Sequence, residues 1–195
     1  MAIDTIAWDI GGVWVNDAMD FIHKNFEKTE GRRRLFRQLL RGQVSEHAFW
    51  DGYVIGSNWE GRTEECTREF YKAAESSIEI NAPLLVLHDR LSARGIKHGI
   101  VTNNCREWTT FVLNHIERKF YPVVISSAHS VGVLKPDAAI FLKFLKEAGK
   151  QAEQVLLVDD KQKNIEGAKA VGMHGIVFRT VEQVEKDLSE LLAVK

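Results

Sequence analysis

The sequence predicts an α/β protein built on a doubly wound parallel sheet, with a helical insertion near its start. Three observations carry this. Short apolar runs alternate with helical patterns from Asn81 to the end, each run stops at polar or acidic residues, and β-branched runs disappear between residues 17 and 81. A parallel strand needs a crossover to return the chain, and a helix is the usual one. The 195 residues are enough for one core plus a small inserted module.

The first strand is read from Ile3, Ile6, Ala7 and Trp8; Asp9 stands where it ends, and Gly11-Gly12 opens a loop before Val13, Trp14 and Val15. Four helices follow at 3.6-residue spacing. Phe21, Ile22 and Phe26 mark one, and Leu35, Phe36, Leu39 and Leu40 a second. Ala48, Phe49, Trp50 and Tyr53 mark a third, which Ser45 caps, and Cys66, Phe70, Tyr71 and Ala74 a fourth. Asn81-Ala82-Pro83 opens the next helix, which stops at Gly95. His98 to Val101 is then a strand ending in Thr102-Asn103-Asn104, and Trp108, Phe111 and Val112 mark a helix. Pro122 to Ile125 is a strand ending in Ser126-Ser127, and Lys135-Pro136-Asp137 introduces a helix that Asp137 charges in its first turn. Val155 to Val158 runs into Asp159 and Asp160, and a helix from Gln162 to Val171 ends at Gly172. A strand at Ile176 to Phe178 and an amphipathic helix from Val181 to Leu192 complete the chain.

Bulk composition excludes several classes. Twenty-six basic against 27 acidic residues leave a formal charge of −1, so nothing points to nucleic acid. The basic run Arg32-Arg33-Arg34 with Arg37 and Arg41 reads as a solvated helix face. No apolar run reaches bilayer-spanning length, and the start lacks a signal-peptide layout. Two cysteines, Cys66 and Cys105, fit lone thiols in a reduced, cytoplasmic protein. Whether the chain is a monomer or a homodimer is not legible.

In a doubly wound sheet the carboxyl ends of the strands face one crevice, which gathers Asp9, Thr102, Lys135, Asp159 and Asp160. Carboxylates this close repel unless a cation joins them, and all-oxygen ligands favour Mg²⁺. A hydroxyl, backbone amides and a lysine suit a phosphoryl group, so these residues describe a phosphoryl-transfer site for a small phosphorylated substrate.

Asp9-Ile10-Gly11-Gly12-Val13, Thr102-Asn103-Asn104, Lys135-Pro136-Asp137 and Val158-Asp159-Asp160 with Asn164 resemble, in order, the four motifs of the haloacid dehalogenase-like hydrolase superfamily. The resemblance implies a Rossmann-like core from residues 1–16 and 82–195 and a helical cap from residues 17–81. It implies Asp9 as the nucleophile of an aspartyl-phosphate mechanism. Mg²⁺ would be held by Asp9, the Gly11 carbonyl and Asp160, with Asp159 a ligand or a residue orienting the ligands. Thr102 and Asn103, with the Gly11-Gly12 backbone, would bind phosphate, Lys135 would neutralise charge, and Asn164 would orient the metal loop.

Phosphatases of the superfamily usually carry an acid/base Asp two residues after the nucleophile. Here that position is Gly11. Three functions follow. The first is a phosphatase of the Asp-x-Gly-Gly branch, which resembles sugar-phosphate phosphatases acting on α-D-glucose 1-phosphate; His47 or Asp17 stand by position to supply a proton. The second is a 2-haloacid dehalogenase-type hydrolase, against which Asp159-Asp160 counts. The third is a catalytically weak member that binds a phospho-ligand or a protein partner through the Arg32–Arg41 face and Trp59. Trp14 beside the motif reads as a hydrophobic wall, with stacking on substrate as the alternative, Trp50 and Trp59 face the same choice, and the scattered histidines carry no ligand spacing.

Overall fold

A computed structural model describes residues 2–16, 19–126 and 132–193. Asp17, Ser127 and His129 lie outside the described residues. Five parallel strands form one sheet: β1 (Thr5–Trp8), β2 (Lys97–Thr102), β3 (Val123–Ile125), β4 (Val155–Asp159) and β5 (His174–Val177), in the order β3-β2-β1-β4-β5. The first strand is therefore central, with Ala7 registered against Gly99 and Leu157, and Trp8 against Ile100 and Val158.

Both faces of the sheet are covered, which is why its strands read as continuous apolar runs rather than alternating ones. Ile6 and Trp8 of β1, Ile100 of β2 and Leu156 and Val158 of β4 point to one side. There they meet Leu84, Leu87 and Leu91 of α5 (Ala82–Ala93), Val112 and Ile116 of α6 (Arg106–Ile116) and Val184 and Leu188 of α9 (Val181–Ala193). Ala7, Val101 and Leu157 point the other way, against Ile140, Phe141 and Phe144 of α7 (Ala138–Ala148) and Ile165 and Ala168 of α8 (Gln162–Ala170). Each fully buried Phe or Leu contributes about 1.5–3 kcal/mol. Under α5 the first face also buries polar rings: Trp8 Nε1 donates to His98 Nδ1 at 3.1 Å, and the His88 and His98 rings lie 4.1 Å apart. Trp14, expected at the site wall, belongs to this group instead, fully buried edge-on to Trp8, His88 and Phe120.

Among the described residues, four helices fill the segment between β1 and α5: α1 (Asp20–Asn25), α2 (Glu30–Leu40), α3 (Glu46–Tyr53) and α4 (Thr63–Ser77). Ser45 caps α3 through Ala48 N as expected, and Thr29 does the same for α2 through Arg32 N. These helices share an aromatic core of their own, in which Phe26, Phe49, Trp50, Tyr53 and Phe70 pack together with Cys105 and Trp108 from the start of α6. Trp50 is fully buried there, so it is core and not a wall of the site. Trp59 is half-buried against Phe21. The chain passes into and out of the segment side by side: Val15 bridges Ile80, and Asn16 holds Ser77 O and Glu79 N through its amide. Asn81 caps α5 and donates to Val13 O.

Candidate active site

The carboxyl end of β1 sits between those of β2 and β4, so the loops after these strands share one crevice. Asp9 continues β1, its amide donating to Val158 O at 2.9 Å. Its Oδ1 accepts from Ile10 N at 2.7 Å and lies 3.0 Å from Lys135 Nζ. Lys135 arrives from the loop before α7, and three bonds hold that loop. Asn103 donates to Lys135 O at 3.1 Å and accepts from Lys135 N at 2.7 Å, while Lys135 Nζ donates to Val101 O at 2.8 Å. Asp137 caps α7 directly behind, through Ala139 N.

Lys135 also meets Asp159 Oδ2 at 2.6 Å, so one buried ammonium joins two buried carboxylates. Burial works against its charge, but Asp9 and Asp159 outweigh that and hold its pKa above the ordinary lysine value. Burial pushes the Asp9 carboxyl above its usual range against the pull of Lys135, and the Asp159 charge adds to the push. Burial acts the same way on Asp159, yet Lys135, Lys161 N and Asn164 keep it below the usual range.

Asp159 and Asp160 are neighbours in sequence with different surroundings. Asp159 is fully buried; its Oδ1 accepts from Lys161 N at 2.9 Å and Asn164 Nδ2 at 2.8 Å, and its Oδ2 takes Lys135. Asp160 lines the crevice, and its buried Oδ1 has no hydrogen-bond partner, with Lys161 Nζ at 3.7 Å. Oxygens of Asp9, Asp159 and Asp160 come within 4.8 Å of one another, so this group could hold a metal ion. An orphaned buried carboxylate oxygen beside two other acids is what a hard cation would satisfy, and the all-oxygen donor set suits Mg²⁺. Gly12 makes the close approach possible. It adopts a φ of +73°, and a Cβ there would sit 3.0 Å from Asp160 Oδ2.

These groups floor a cleft of about 400 Å³, together with Gly11, Gly12, Thr102 and Asn103. The residues expected to hold metal and phosphate are therefore gathered, Asp159 behind the cleft and the rest lining it. His47 is not brought there: it is exposed and pairs with Asp51 at 3.4 Å. Cys105 is buried, with burial pushing its thiol far above the ordinary range, and Cys66 is likewise pushed up to about 11. Within the basic run Arg32 binds the Tyr53 and Ile55 carbonyls, while Arg33 and Arg34 are exposed.

Sequence reasoning missed the side of the cleft away from this floor, where Phe36, Leu40, Phe70, Tyr71, Trp108 and Phe111 line the wall. It also missed Glu46 of α3. Its Oε1 accepts from Tyr71 Oη at 2.8 Å, Trp108 Nε1 at 2.7 Å and Trp50 Nε1 at 3.3 Å. The helical spacing of Phe36 and Leu40 was visible, but spacing alone does not separate a core face from a pocket wall. No helix among the described residues is long and apolar enough to cross a membrane.

Comparison with known proteins places this geometry in a family. A glyceraldehyde 3-phosphate phosphatase from Pyrococcus furiosus is 34% identical over 102 residues, covering 51% of this chain and 42% of the relative. The chain spans less than half the length of the curated relatives it matches. Among solved structures, a haloacid dehalogenase family enzyme from Bacteroides thetaiotaomicron, in complex with magnesium and inorganic phosphate, superposes with a TM-score of 0.75. It is 19% identical and covers 94% of this chain and 99% of its own. A haloacid dehalogenase-like hydrolase structure from Porphyromonas gingivalis gives 0.69 at 21% identity, with full coverage of both chains. The family model for haloacid dehalogenase-like hydrolases matches residues 36–178. With its sheet order, its buried Asp9–Lys135–Asp159 triad and that match, the chain belongs to the haloacid dehalogenase-like hydrolases.

Proposed function

We propose that the protein is a Mg²⁺-dependent phosphatase that hydrolyses a small phosphomonoester through an aspartyl-phosphate on Asp9. The observation that carries this reading is the contrast between Asp159, whose oxygens are all engaged, and Asp160, which lines the cleft with Asp9 and whose buried Oδ1 accepts no hydrogen bond. A second acid available to a cation serves phosphoryl transfer, and carbon–halogen displacement has no use for it. That favours a phosphatase over a dehalogenase.

Ile10 N and Lys135 Nζ meet on Asp9 Oδ1, which fixes the carboxylate and leaves Oδ2 to attack phosphorus. The new bond joins Asp9 oxygen to phosphorus as the ester P–O bond breaks and the alcohol oxygen leaves with the bonding pair. Water then attacks phosphorus, and Asp9 is returned as carboxylate with inorganic phosphate. Thr102 and the amide of Asn103 bind the phosphoryl oxygens, while Lys135 offsets charge on Asp9 and on the phosphoryl group. Asp9, Asp160 and the Gly11 carbonyl would hold Mg²⁺, which when bound supplies positive charge to the carboxylates and the phosphoryl oxygens. Asp159, held by Asn164, acts by positioning Lys135. In this reading residues 17–81 are a cap over a core of residues 1–16 and 82–195, and the protein works in the cytoplasm.

The relatives include glyceraldehyde 3-phosphate phosphatases, and the Asp9-Ile10-Gly11-Gly12 motif resembles that of sugar-phosphate phosphatases, so both kinds of ester enter a panel beside aryl and alkyl phosphates. The reading is tested by phosphate release from that panel with Mg²⁺ and with EDTA. Release that needs Mg²⁺ and disappears in Asp9→Asn supports it. Equal release from the Asp9→Asn protein would sink it.

A further inference from the structure

Two independent features of the cleft bear on what the phosphate is attached to. The first is its wall. In the same cleft as the strand-end residues, Phe36 and Leu40 of α2, Tyr71 of α4 and Trp108 and Phe111 of α6 contribute rings and an aliphatic chain to the lining. Their polar tips are engaged elsewhere: Tyr71 Oη and Trp108 Nε1 both donate to Glu46, which leaves ring surface for the cleft. Asn16 gives both ends of its amide to the Ser77 and Glu79 backbone, and Asn104 Oδ1 accepts from Cys105 N. Lys161 and Lys163 add polar groups to the lining, but a polyhydroxylated alcohol seated against the rings would exchange its water for them, which costs free energy for each hydroxyl left unpaired.

The second feature is that the described lining offers no carboxyl or imidazole beyond Asp9 and Asp160 to protonate the leaving oxygen. Position 11 is glycine, and among the described residues lining the cleft there is no Glu and no His, and the only Asp residues are Asp9 and Asp160. Tyr71 does not fill the role, since burial and Glu46 raise its phenol far above the ordinary range. Among the described residues, then, no carboxyl or imidazole is in place to protonate the leaving oxygen, which favours an alcohol whose anion is already stable.

An apolar wall and an unassisted departure are met together by one class of ester. We propose that the substrate is the phosphate monoester of an aromatic alcohol, bound with its ring against Phe36, Trp108 and Phe111 and released as a phenolate. The cleft of about 400 Å³ has room for a phosphoryl group and a small ring system. This rests on the phosphatase reading, and the experiment separates the two.

Turnover with Mg²⁺ is measured for 2-naphthyl phosphate, cyclohexyl phosphate, glucose 1-phosphate and glucose 6-phosphate. Affinity is measured separately, from tryptophan fluorescence, for 2-naphthylphosphonate, methylphosphonate and inorganic phosphate. The expected kcat/KM for 2-naphthyl phosphate exceeds that for cyclohexyl phosphate by at least about 100-fold, the lower end of what general-acid help is worth. It also exceeds that for glucose 1-phosphate, whose leaving group needs little help but is polar, by at least about tenfold. The naphthylphosphonate is expected to bind at least about tenfold more tightly than methylphosphonate. Leu40→Gln and Phe111→Gln should each reduce that ratio while leaving affinity for inorganic phosphate unchanged. Equal affinity for the two phosphonates, or glucose 1-phosphate turned over as well as the naphthyl ester, overturns the inference and leaves the phosphatase reading standing. Loss of all turnover with the phosphonate ratio intact overturns the phosphatase reading and supports recognition of an aromatic ligand.

Discussion

Replacing Gly11 by Asp puts a carboxyl where most phosphatases resembling this chain carry one, and the structure says the site will accept it. Gly11 is exposed, a Cβ built there meets nothing within 4 Å, and its φ lies outside the left-handed region. The backbone carbonyl proposed to face the cation is kept. General acid–base assistance is worth about a hundred- to ten-thousand-fold when fully positioned. A newly installed Asp has no supporting bonds in this loop, so the expected gain is the modest end, about 10- to 100-fold in kcat for cyclohexyl phosphate. That corresponds to about 1.4 to 2.7 kcal/mol of barrier. The gain should be confined to esters that need a proton: 2-naphthyl phosphate should change by less than about threefold, since its phenolate leaves unassisted. Steady-state phosphate release from both esters, wild type against variant, decides the matter, with far-UV circular dichroism as a check on folding. A folded variant with no gain on the alkyl ester, or with equal gains on both, would refute the idea that Gly11 is what restricts the leaving group.

Other expectations follow from single contacts. Lys135→Met leaves Asp9 and Asp159 buried without their shared cation, so the protein should lose about 3–5 kcal/mol in urea unfolding and release no phosphate. Gly12→Ala combines a left-handed φ with a Cβ 3.0 Å from Asp160 Oδ2; it should cost about 1–2 kcal/mol and reduce the rise in thermal midpoint that Mg²⁺ produces. Burial, then the neighbouring His88, depresses the pKa of His98 to about 3, so below pH 6.5 the unfolded chain takes up a proton that the folded one refuses. Stability should therefore fall as pH drops from about 6.5 towards 3, by at most about 1.4 kcal/mol per pH unit, and His98→Gln should flatten that slope in urea titrations. Glu46→Gln should weaken the hold on the Tyr71 and Trp108 tips and reduce selectivity for 2-naphthylphosphonate, while binding of inorganic phosphate stays as it was.

The sheet and the gathering of residues at its carboxyl edge were legible because they depend on local rules. A parallel strand buried on both faces must be an apolar run, and the residue following it must enter the crevice, which is how Asp9, Thr102 and Asp160 could be found from the chain alone. What escaped depends on direction and on distant partners. Trp14 lies in the loop after Asp9, where neither helical nor strand period says which way a side chain points, and it turned into the core. Asp159 and Asp160 look equivalent in sequence, yet Asp159 ends a strand and faces Lys135 and Asn164 while Asp160 opens on the cleft. Glu46 was invisible because, beside Trp50 one turn along its own helix, its donors Tyr71 and Trp108 come from two other helices whose packing no periodicity specifies.

The central claim is that Asp9 carries the phosphoryl group. It is tested most directly by quenching the protein in acid during turnover of 2-naphthyl phosphate with Mg²⁺ and locating the modification by peptide mass spectrometry. The expected result is one added phosphoryl group on Asp9, accompanied by a burst of naphthol of about one per site, since among the described residues the cleft has no carboxyl besides Asp9 and Asp160 to activate water for the second step. Turnover with Asp9 unmodified at every quench time, and retained in Asp9→Asn, would contradict it.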